Sequence, residues 1–357
     1  MAIFSIPNVR ITGMAGAVPK VEINNWDYDW ISMEERELFI KQTGIEKRRV
    51  VDGIRSTTTS DLCMLAAEKL LNDLEWDRSE VDCLIFVSQS RDFIVPQTST
   101  ILQNQLGLPK TCMTFDVSLG CSAYVYGLST IASHVSHGQF KKALLMVGDL
   151  SSLSTCYKDK SSYPLFGDAA TVTCLEYDPD APLMHFNLQS DGAGWNAIHI
   201  PDGGLRNYYD KDTSFEIKEV SEGIHRNKFH VHLDGIKIFN FSLMEVSKNI
   251  KNLLKHVDGN IADIDYTVLH QANKMINEVI RKKLKIDPEK LPYSIHKYGN
   301  TSCASIPITM VSEMQDDLKN KKLNLLLSGF GVGLSWGSVL LQTENVHVPD
   351  MIIEQES

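Results

Sequence analysis

Short apolar runs alternate with longer stretches of helical periodicity along this chain, and the alternation runs through twice. Residues 84–87 form a compact apolar run, the pattern of a strand buried on both faces. Residues 96–106 read as a helix, 113–117 as a strand, 121 to about 137 as a helix and 143–147 as a strand; 171–175 close the first round. The second opens with a long helix from 234 to about 256, which gathers Ile236, Phe239, Leu243, Val246 and Ile250 on one face. A strand at 268–269, a helix near 272–284, a helix over 305–318 and a strand at 323–327 follow. Between the rounds, 201–227 is polar and rich in turn residues, which predicts a loop or lid. Beyond Thr343 no periodicity is left, so the tail is expected to be partly disordered.

The two rounds also share sequence. Val81-Asp82-Cys83-Leu84-Ile85-Phe86 reads like Ile264-Asp265-Tyr266-Thr267-Val268-Leu269, 183 residues further on. Gly120-Cys121-Ser122-Ala123 opens a helix as Ser302-Cys303-Ala304-Ser305 does, at a spacing of 182. Lys141-Lys142-Ala143-Leu144 and Lys321-Lys322-Leu323-Asn324 open matching strands at a spacing of 180. Three similar spacings in one order point to an internal duplication. The halves divide at 1–178 and 179–343, with a tail at 344–357. Two such halves predict an α/β fold with two mixed sheets and helices layered between and outside them.

Composition narrows the function. With 357 residues, 43% hydrophobic and 22% charged, the chain can bury a large core. A net charge of −10 sets the surface against phosphate backbones, so no nucleic-acid partner is expected. No stretch approaches the roughly 18 apolar residues of a membrane span, and the first residues lack a signal peptide's basic and apolar regions. A soluble, cytoplasmic protein with no membrane partner is therefore expected. The seven cysteines are odd in number and form no CxxC pair, against a zinc site or disulfide framework. No metal or cofactor is expected, and six of the seven read as buried free thiols.

The seventh is Cys121. It sits between a strand and a helix in Asp116-Val117-Ser118-Leu119-Gly120-Cys121-Ser122-Ala123. Gly120 would permit a tight turn there. The helix N-terminus, with its unpaired N–H groups and partial positive charge, would favour thiolate and so a nucleophile. The same N–H groups could hold an oxyanion. The plainer reading is a small buried residue at a helix start. Leu269-His270-Gln271-Ala272-Asn273 puts His270 just after a strand, and Tyr298-Gly299-Asn300-Thr301-Ser302 puts Asn300 in a turn. Alone, each has an ordinary reading, as a strand-end histidine and a turn residue. Together they matter, because strand ends of a doubled α/β fold face one crevice. Phe330-Gly331-Val332-Gly333 is a Gly-rich turn able to bring backbone N–H groups to a substrate, and it lacks the pattern of a phosphate loop.

These motifs resemble those of β-ketoacyl-acyl-carrier-protein synthase III. The matching segments are Asp116-Val117 with Cys121 and Tyr126-Gly127-Leu128, then Phe166-Gly167-Asp168-Ala169, His270-Gln271-Ala272-Asn273, Tyr298-Gly299-Asn300-Thr301-Ser302, Ala304-Ser305-Ile306-Pro307 and the 330–337 turn. They run in family order over roughly residues 8–342. The resemblance implies a duplicated thiolase-like fold, layered αβαβα, and a decarboxylative Claisen condensation. In it Cys121 takes the acyl group from a thioester, and a malonyl thioester of acyl carrier protein enters. His270 and Asn300 stabilise the enolate formed as CO2 leaves. The N–H groups of Cys121 and of the 330–333 turn hold the tetrahedral oxyanion. It further implies a homodimer that either starts fatty-acid synthesis or serves a specialised pathway.

Some positions depart from the acetyl-CoA-using members. Phe39 and Gln42 stand where those have a Trp and an Arg that clamp CoA. Met275 replaces a basic residue after the His-Gln-Ala-Asn motif, although Lys274 is adjacent, and Asn240 replaces a carrier-docking Lys. Val332 replaces the middle Gly of the turn, and Val95 a bulky gate residue given by the partner subunit. The missing clamp suggests a specialised acyl donor, delivered on a carrier protein instead of CoA, with Lys160 still available to a phosphate, and the smaller Val95 would admit longer or branched acyl groups. Lys248, Lys251, Lys255, Arg281, Lys282, Lys283 and Lys285 form the candidate carrier-docking patch. Two other readings stand beside condensation. One is an acyltransferase passing the group from Cys121 to a hydroxyl, amine or thiol; the other is a non-catalytic partner subunit.

Overall fold

A computed structural model describes residues 2–53 and 57–355. Eleven strands among them build two sheets: β1 (Ala2–Ile6), β2 (Val9–Val18), β3 (Val81–Val87), β4 (Met113–Val117), β5 (Lys142–Leu150), β6 (Asp168–Tyr177), β7 (Met184–Ser190), β8 (Tyr266–Leu269), β9 (Leu323–Gly331), β10 (Ser335–Thr343) and β11 (Ile352–Ile353). The first sheet runs β11-β2-β6-β5-β3-β4 and the second β1-β7-β10-β9-β8. The duplication is visible in this order. β2, β6, β5 and β3 of the first sheet correspond to β7, β10, β9 and β8 of the second. In both sets the first two pairings are antiparallel and the last is parallel. The sequence echoes fall on β3 with β8 and on β5 with β9, equivalent positions of the two sheets.

Strand periodicity explains the layering. Cys83, Ile85 and Val87 of β3 face a central core, as do Ala143, Leu145 and Val147 of β5 and Leu325 and Leu327 of β9. The helices Ala123–Val135 and Ser305–Glu313 fill that core between the sheets. Leu84, Phe86, Leu144 and Met146 point the other way, onto the helix Thr59–Asp73. Leu326 and Leu340 do the same beneath the helices Ser247–His256 and Lys274–Leu284. Both faces of each sheet are thus covered, which gives the αβαβα layering. It also explains why the strands read as unbroken apolar runs. Each fully buried Leu or Ile here contributes about 1.5–3 kcal/mol from burial.

Four expectations are revised. The tail is ordered: Val346 and Val348 are buried, His347 exchanges backbone hydrogen bonds with β2, and β11 pairs in parallel with β2. Its pattern lacks periodicity because it lies as an edge strand over a finished core. The terminal segments also cross between halves, since β1 pairs with β7 while β11 joins β2. The helix expected over 234–256 contains a π turn, Ser242–Val246, between Gly235–Phe241 and Ser247–His256. The wider turn shifts the buried face to Ile238, Ser242, Val246 and Ile250, and Ile236 is 76% exposed. The helix expected over 305–318 breaks at Met314 into Ser305–Glu313 and Gln315–Asn320.

The segment 201–227 is mostly loop, as its composition predicts, but carries a hairpin, Lys218–Ser221 with Ile224–Arg226. The Gly223 carbonyl accepts from the Lys160 N–H and the Trp30 indole, both at 3.1 Å. That fastens the hairpin to the segment around residue 159.

Candidate active site

One cavity of about 380 Å³ is lined by Cys121, His270, Asn300, Phe330, Gly331 and Val332. The three candidate catalytic residues, scattered over 180 positions of sequence, therefore share a wall-to-wall space. Cys121 is half-buried, and the other six cysteines are buried free thiols. It lies two residues before the helix Ala123–Val135. The backbone N–H groups of Val332 and of Cys121 itself donate toward its sulfur, as does the Ser302 side chain. The two backbone donors are those an oxyanion on a Cys121 thioester needs.

The backbone beside the sulfur must come very close. A Cβ on Gly331 would sit 2.8 Å from the Cys121 sulfur and 2.6 Å from its Cβ. Gly120 serves the same purpose. A Cβ there would fall 2.4 Å from both Gln89 Oε1 and Val332 Cγ1. Close approach, not a left-handed turn, is what requires glycine at 120.

The thiolate expectation is overturned. Burial pushes the Cys121 thiol up to about 11, and the Asp149 carboxylate adds to the rise. The N–H donors from Val332 and Cys121 oppose it and do not win. The helix start is present, but among the described residues no lysine or arginine lines the cavity beside it, and burial favours the thiol.

His270 is buried at the end of β8 and its ring packs edge-on against Phe330, 5.5 Å between centroids. Burial lowers its pKa to about 3, against a smaller upward effect of a Ser302 backbone hydrogen bond. The imidazole is neutral throughout the working range. Ser305 Oγ lies 2.6 Å from His270 Nδ1 and accepts from the Gln271 N–H at 3.3 Å. The tautomer in which Ser305 donates to Nδ1 is the one that puts the ring N–H on Nε2. Asn300 is held just as firmly. Its backbone bridges Leu165 and Gly167, and its Oδ1 accepts from the Ser302 N–H at 3.0 Å. The remaining polar end of that amide is a donor. Ser302 makes this turn at φ 50°, a left-handed conformation uncommon for a serine.

The other expected contacts separate into two groups. Ala272 and Asn273 line the cavity, and Asn273 also caps the helix Lys274–Leu284 by accepting from Ile276 N–H at 2.8 Å. Gln271 does not face it: the side chain is buried and donates to the Leu269 carbonyl. Lys274 and Met275 are exposed outside the cavity, with the Lys274 amine over the Tyr293 ring. Phe39 is half-buried and Gln42 exposed on the helix Met33–Thr43, away from the cavity lining. Gly333 also lies outside that lining. Val95 is 80% exposed beside Phe93 and Ile94. Lys160 is committed to Glu35 at 2.9 Å, so it is not a free phosphate ligand. Sequence reasoning missed Gln89, Ser118, Asp149, Ser151 and His199, which also line the cavity. Each lies within a few residues of a strand, and that is the only signal the sequence carried.

Fold and site together define a thiolase-fold protein whose central cavity brings a cysteine, a histidine and an asparagine together. Comparison with known proteins agrees. The family of 3-oxoacyl-[acyl-carrier-protein] synthase III matches residues 115–192, and its C-terminal region matches 254–343. The β-ketoacyl-[acyl-carrier-protein] synthase III of Koribacter versatilis is 30% identical over 95% of this chain and 98% of its own. That of Clostridium tetani is 33% identical over 94% and 98%. A crystal structure of a 3-oxoacyl-(acyl-carrier-protein) synthase from Burkholderia xenovorans superposes with a TM-score of 0.92 at 34% identity, covering 99% of both chains. The chain belongs to the β-ketoacyl-acyl-carrier-protein synthase III family, condensing enzymes of the thiolase superfamily.

Proposed function

We propose that the chain condenses an acyl thioester with a malonyl thioester of acyl carrier protein through an acyl-Cys121 intermediate. The carrying observation is the convergence of Cys121, His270 and Asn300 on one cavity with two backbone N–H groups at the sulfur. The Cys121 sulfur attacks the donor carbonyl, and the oxyanion is held by the N–H groups of Cys121 and Val332. Collapse expels the donor thiol, which leaves with the proton the cysteine gave up. An imidazole near pKa 3 is a poor base for a thiol near 11, so a standing thiolate–imidazolium pair has no part in this step. The malonyl thioester then loses CO2. His270 Nε2–H and the Asn300 amide donate to the enolate oxygen, and the enolate carbon attacks the acyl-Cys carbonyl. The 3-oxoacyl thioester departs, and the released Cys121 thiolate takes a proton from water to return to the thiol.

Acyl transfer to Cys121 is the first half of this scheme. A homodimer fits the exposed apolar run Phe93, Ile94 and Val95, a surface suited to a second copy. Carrier delivery fits the exposed Lys248, Lys251, Lys255, Lys282 and Lys285. Arg281 is less available, being paired with Glu278, and Lys283 donates to the Leu243 carbonyl.

The test is intact-mass analysis after incubation with acyl-CoA and acyl-carrier thioesters, then malonyl carrier, with Cys121→Ser as control. Acyl mass at Cys121, discharged by malonyl carrier as a 3-oxoacyl product, is expected. Carrier donors should lose their advantage as salt is raised. Loading without discharge by malonyl carrier would instead make the protein an acyltransferase.

A further inference from the structure

Ser122 follows the nucleophile and caps the start of the helix Ala123–Val135, where a serine hydroxyl ordinarily accepts from a backbone N–H of the first turn. Here it makes no such bond. The residue is fully buried, and its Oγ lies 2.7 Å from Ser335 Oγ, 213 residues further on. Ser335 is 5% exposed and donates to the Val332 carbonyl at 2.8 Å. A hydroxyl has one proton, and a carbonyl only accepts. The Ser335 proton is therefore spent on Val332, and Ser122 is the donor of the serine pair. The chain of hydrogen bonds runs one way, from Ser122 through Ser335 to Val332.

This chain ties together the two segments that meet at the Cys121 sulfur. Ser335 pairs with Gly331 at the end of the β9–β10 hairpin, so residues 332–334 are its turn. Leu334 is anchored on one side, its N–H donating to the Asp191 carbonyl at 3.0 Å and its carbonyl accepting from the Asp191 N–H at 2.9 Å. On the other side β9 lies directly against the helix start. A Cβ on Gly329 would fall 2.9 Å from Ser122 Cα and 3.0 Å from the Cys121 carbonyl oxygen. Within the turn the Val332 carbonyl is taken by Ser335, and the Val332 N–H is turned to the sulfur. A residue has only two soft backbone dihedrals, so fixing its carbonyl limits where its N–H can point.

Resting on the acyl-Cys121 reading above, we propose that Ser335 and Ser122 are positioning residues of the oxyanion hole, holding the Val332 N–H over Cys121 through the Val332 carbonyl. Neither side chain lines the cavity, so neither touches substrate. Their effect is to have the donor in place before negative charge develops, in loading and in condensation alike. Without the Ser335 hydroxyl the Val332 carbonyl loses its partner, and the Ser122 hydroxyl is left buried without an acceptor.

The test compares two reactions of one sulfur. Loading from a thioester passes through an oxyanion; alkylation by iodoacetamide displaces iodide and forms none. Loading is followed by intact mass with whichever of acetyl, butanoyl and octanoyl pantetheine loads the parent fastest. Ser335→Ala should slow loading about tenfold, short of the roughly 10²–10³ of a lost oxyanion donor, and leave alkylation of Cys121 at the parent rate. Ser335→Thr keeps the hydroxyl and should restore loading. Ser122→Ala removes the first link without removing a helix cap, so it should slow loading by less and again spare alkylation. It decides the matter alone if Ser335→Ala does not fold. Parent-rate loading in the alanine variants overturns the proposal. So does equal slowing of loading and alkylation, which marks a packing defect. Either result leaves the acyl-Cys reading standing. A parent that is alkylated at Cys121 but loads from none of the three thioesters ends that reading, and this proposal with it.

Discussion

Two cysteines, Cys121 and Cys303, occupy equivalent places in the two halves, each two residues before a central helix. Their surroundings are nonetheless opposite. Cys121 opens on the cavity, with glycine at 331 and backbone donors at its sulfur. Cys303 is 1% exposed, its thiol directed to the Val87 carbonyl at 3.9 Å, and burial with the Asp149 charge pushes it well above the ordinary thiol range. A helix start alone therefore does not open a thiol to a cavity. Both thiols have one, and the difference comes from the loop opposite. The first half's helix start is met by the Gly-rich 330–333 turn from the second half, and Cys303 is capped by β3.

The sharpest way to break this comparison is to exchange the roles of the two thiols. Cys121→Ser should lower condensation by about 10⁴-fold or more, as loss of a nucleophile does. Cys303→Ala should leave the turnover near that of the parent. In the folded protein, iodoacetamide should label Cys121 and spare Cys303. Because the Cys121 pKa is raised to about 11, its thiolate fraction is small at neutral pH and increases with pH. Labelling should accelerate about tenfold per pH unit between roughly pH 7 and 9. A labelling rate that is flat over this range would mean a stable thiolate and would contradict the burial argument.

A smaller but more local effect is expected at the turn opposite Cys121. Gly331→Ala places a methyl within 2.8 Å of the sulfur, against which the turn must retreat. The Val332 N–H moves with it and the oxyanion loses one donor. A decrease of about 10²–10³ in kcat is expected. Thermal melting should change far less, since this turn faces the cavity. Unchanged turnover in a folded Gly331→Ala protein would show that Val332 is not an oxyanion donor.

Much of this was legible in the sequence, for reasons that the comparison makes clear. Unbroken apolar runs at 84–87 and 143–147 mark strands covered on both faces, and the paired spacings gave the doubled sheet. Cys121, His270 and Asn300 could be placed together because His270 follows a strand while Cys121 and Asn300 sit in turns just ahead of helical segments. What stayed hidden depends on distant contacts. The Cys121 pKa is decided by burial and by Asp149, 28 residues away, and not by the local helix start that the sequence displays. The π turn at 242–246 moves a buried face that a regular period would set. The tail is ordered by β2, a strand over 330 residues earlier. Lys160 looked free until the fold put Glu35 beside it.

The smallest predicted effect separates the two half-reactions. Ser305 touches no substrate; we propose that it acts through His270, its Oγ accepting from the Gln271 N–H and donating to Nδ1 2.6 Å away. That fixes the tautomer in which Nε2 carries the proton. Without it the neutral ring can adopt either tautomer, and one of them presents a lone pair to the enolate oxygen instead of a donor. Ser305→Ala should therefore slow condensation by about tenfold, in line with loss of an outer partner that orients a histidine. Loading of Cys121 should stay at the parent rate, because the acyl oxyanion is held by backbone N–H groups that Ser305 does not contact. Ser305→Thr keeps a hydroxyl and should restore most of the loss. A general packing defect would slow both half-reactions and would not be relieved by threonine, so equal slowing of loading and condensation would remove Ser305 from the site. The duplication sharpens the point. The equivalent position in the first half is Ala123, at the start of the other central helix. That position carries no hydroxyl, so the first half lacks the partner that stands beside His270 in the second.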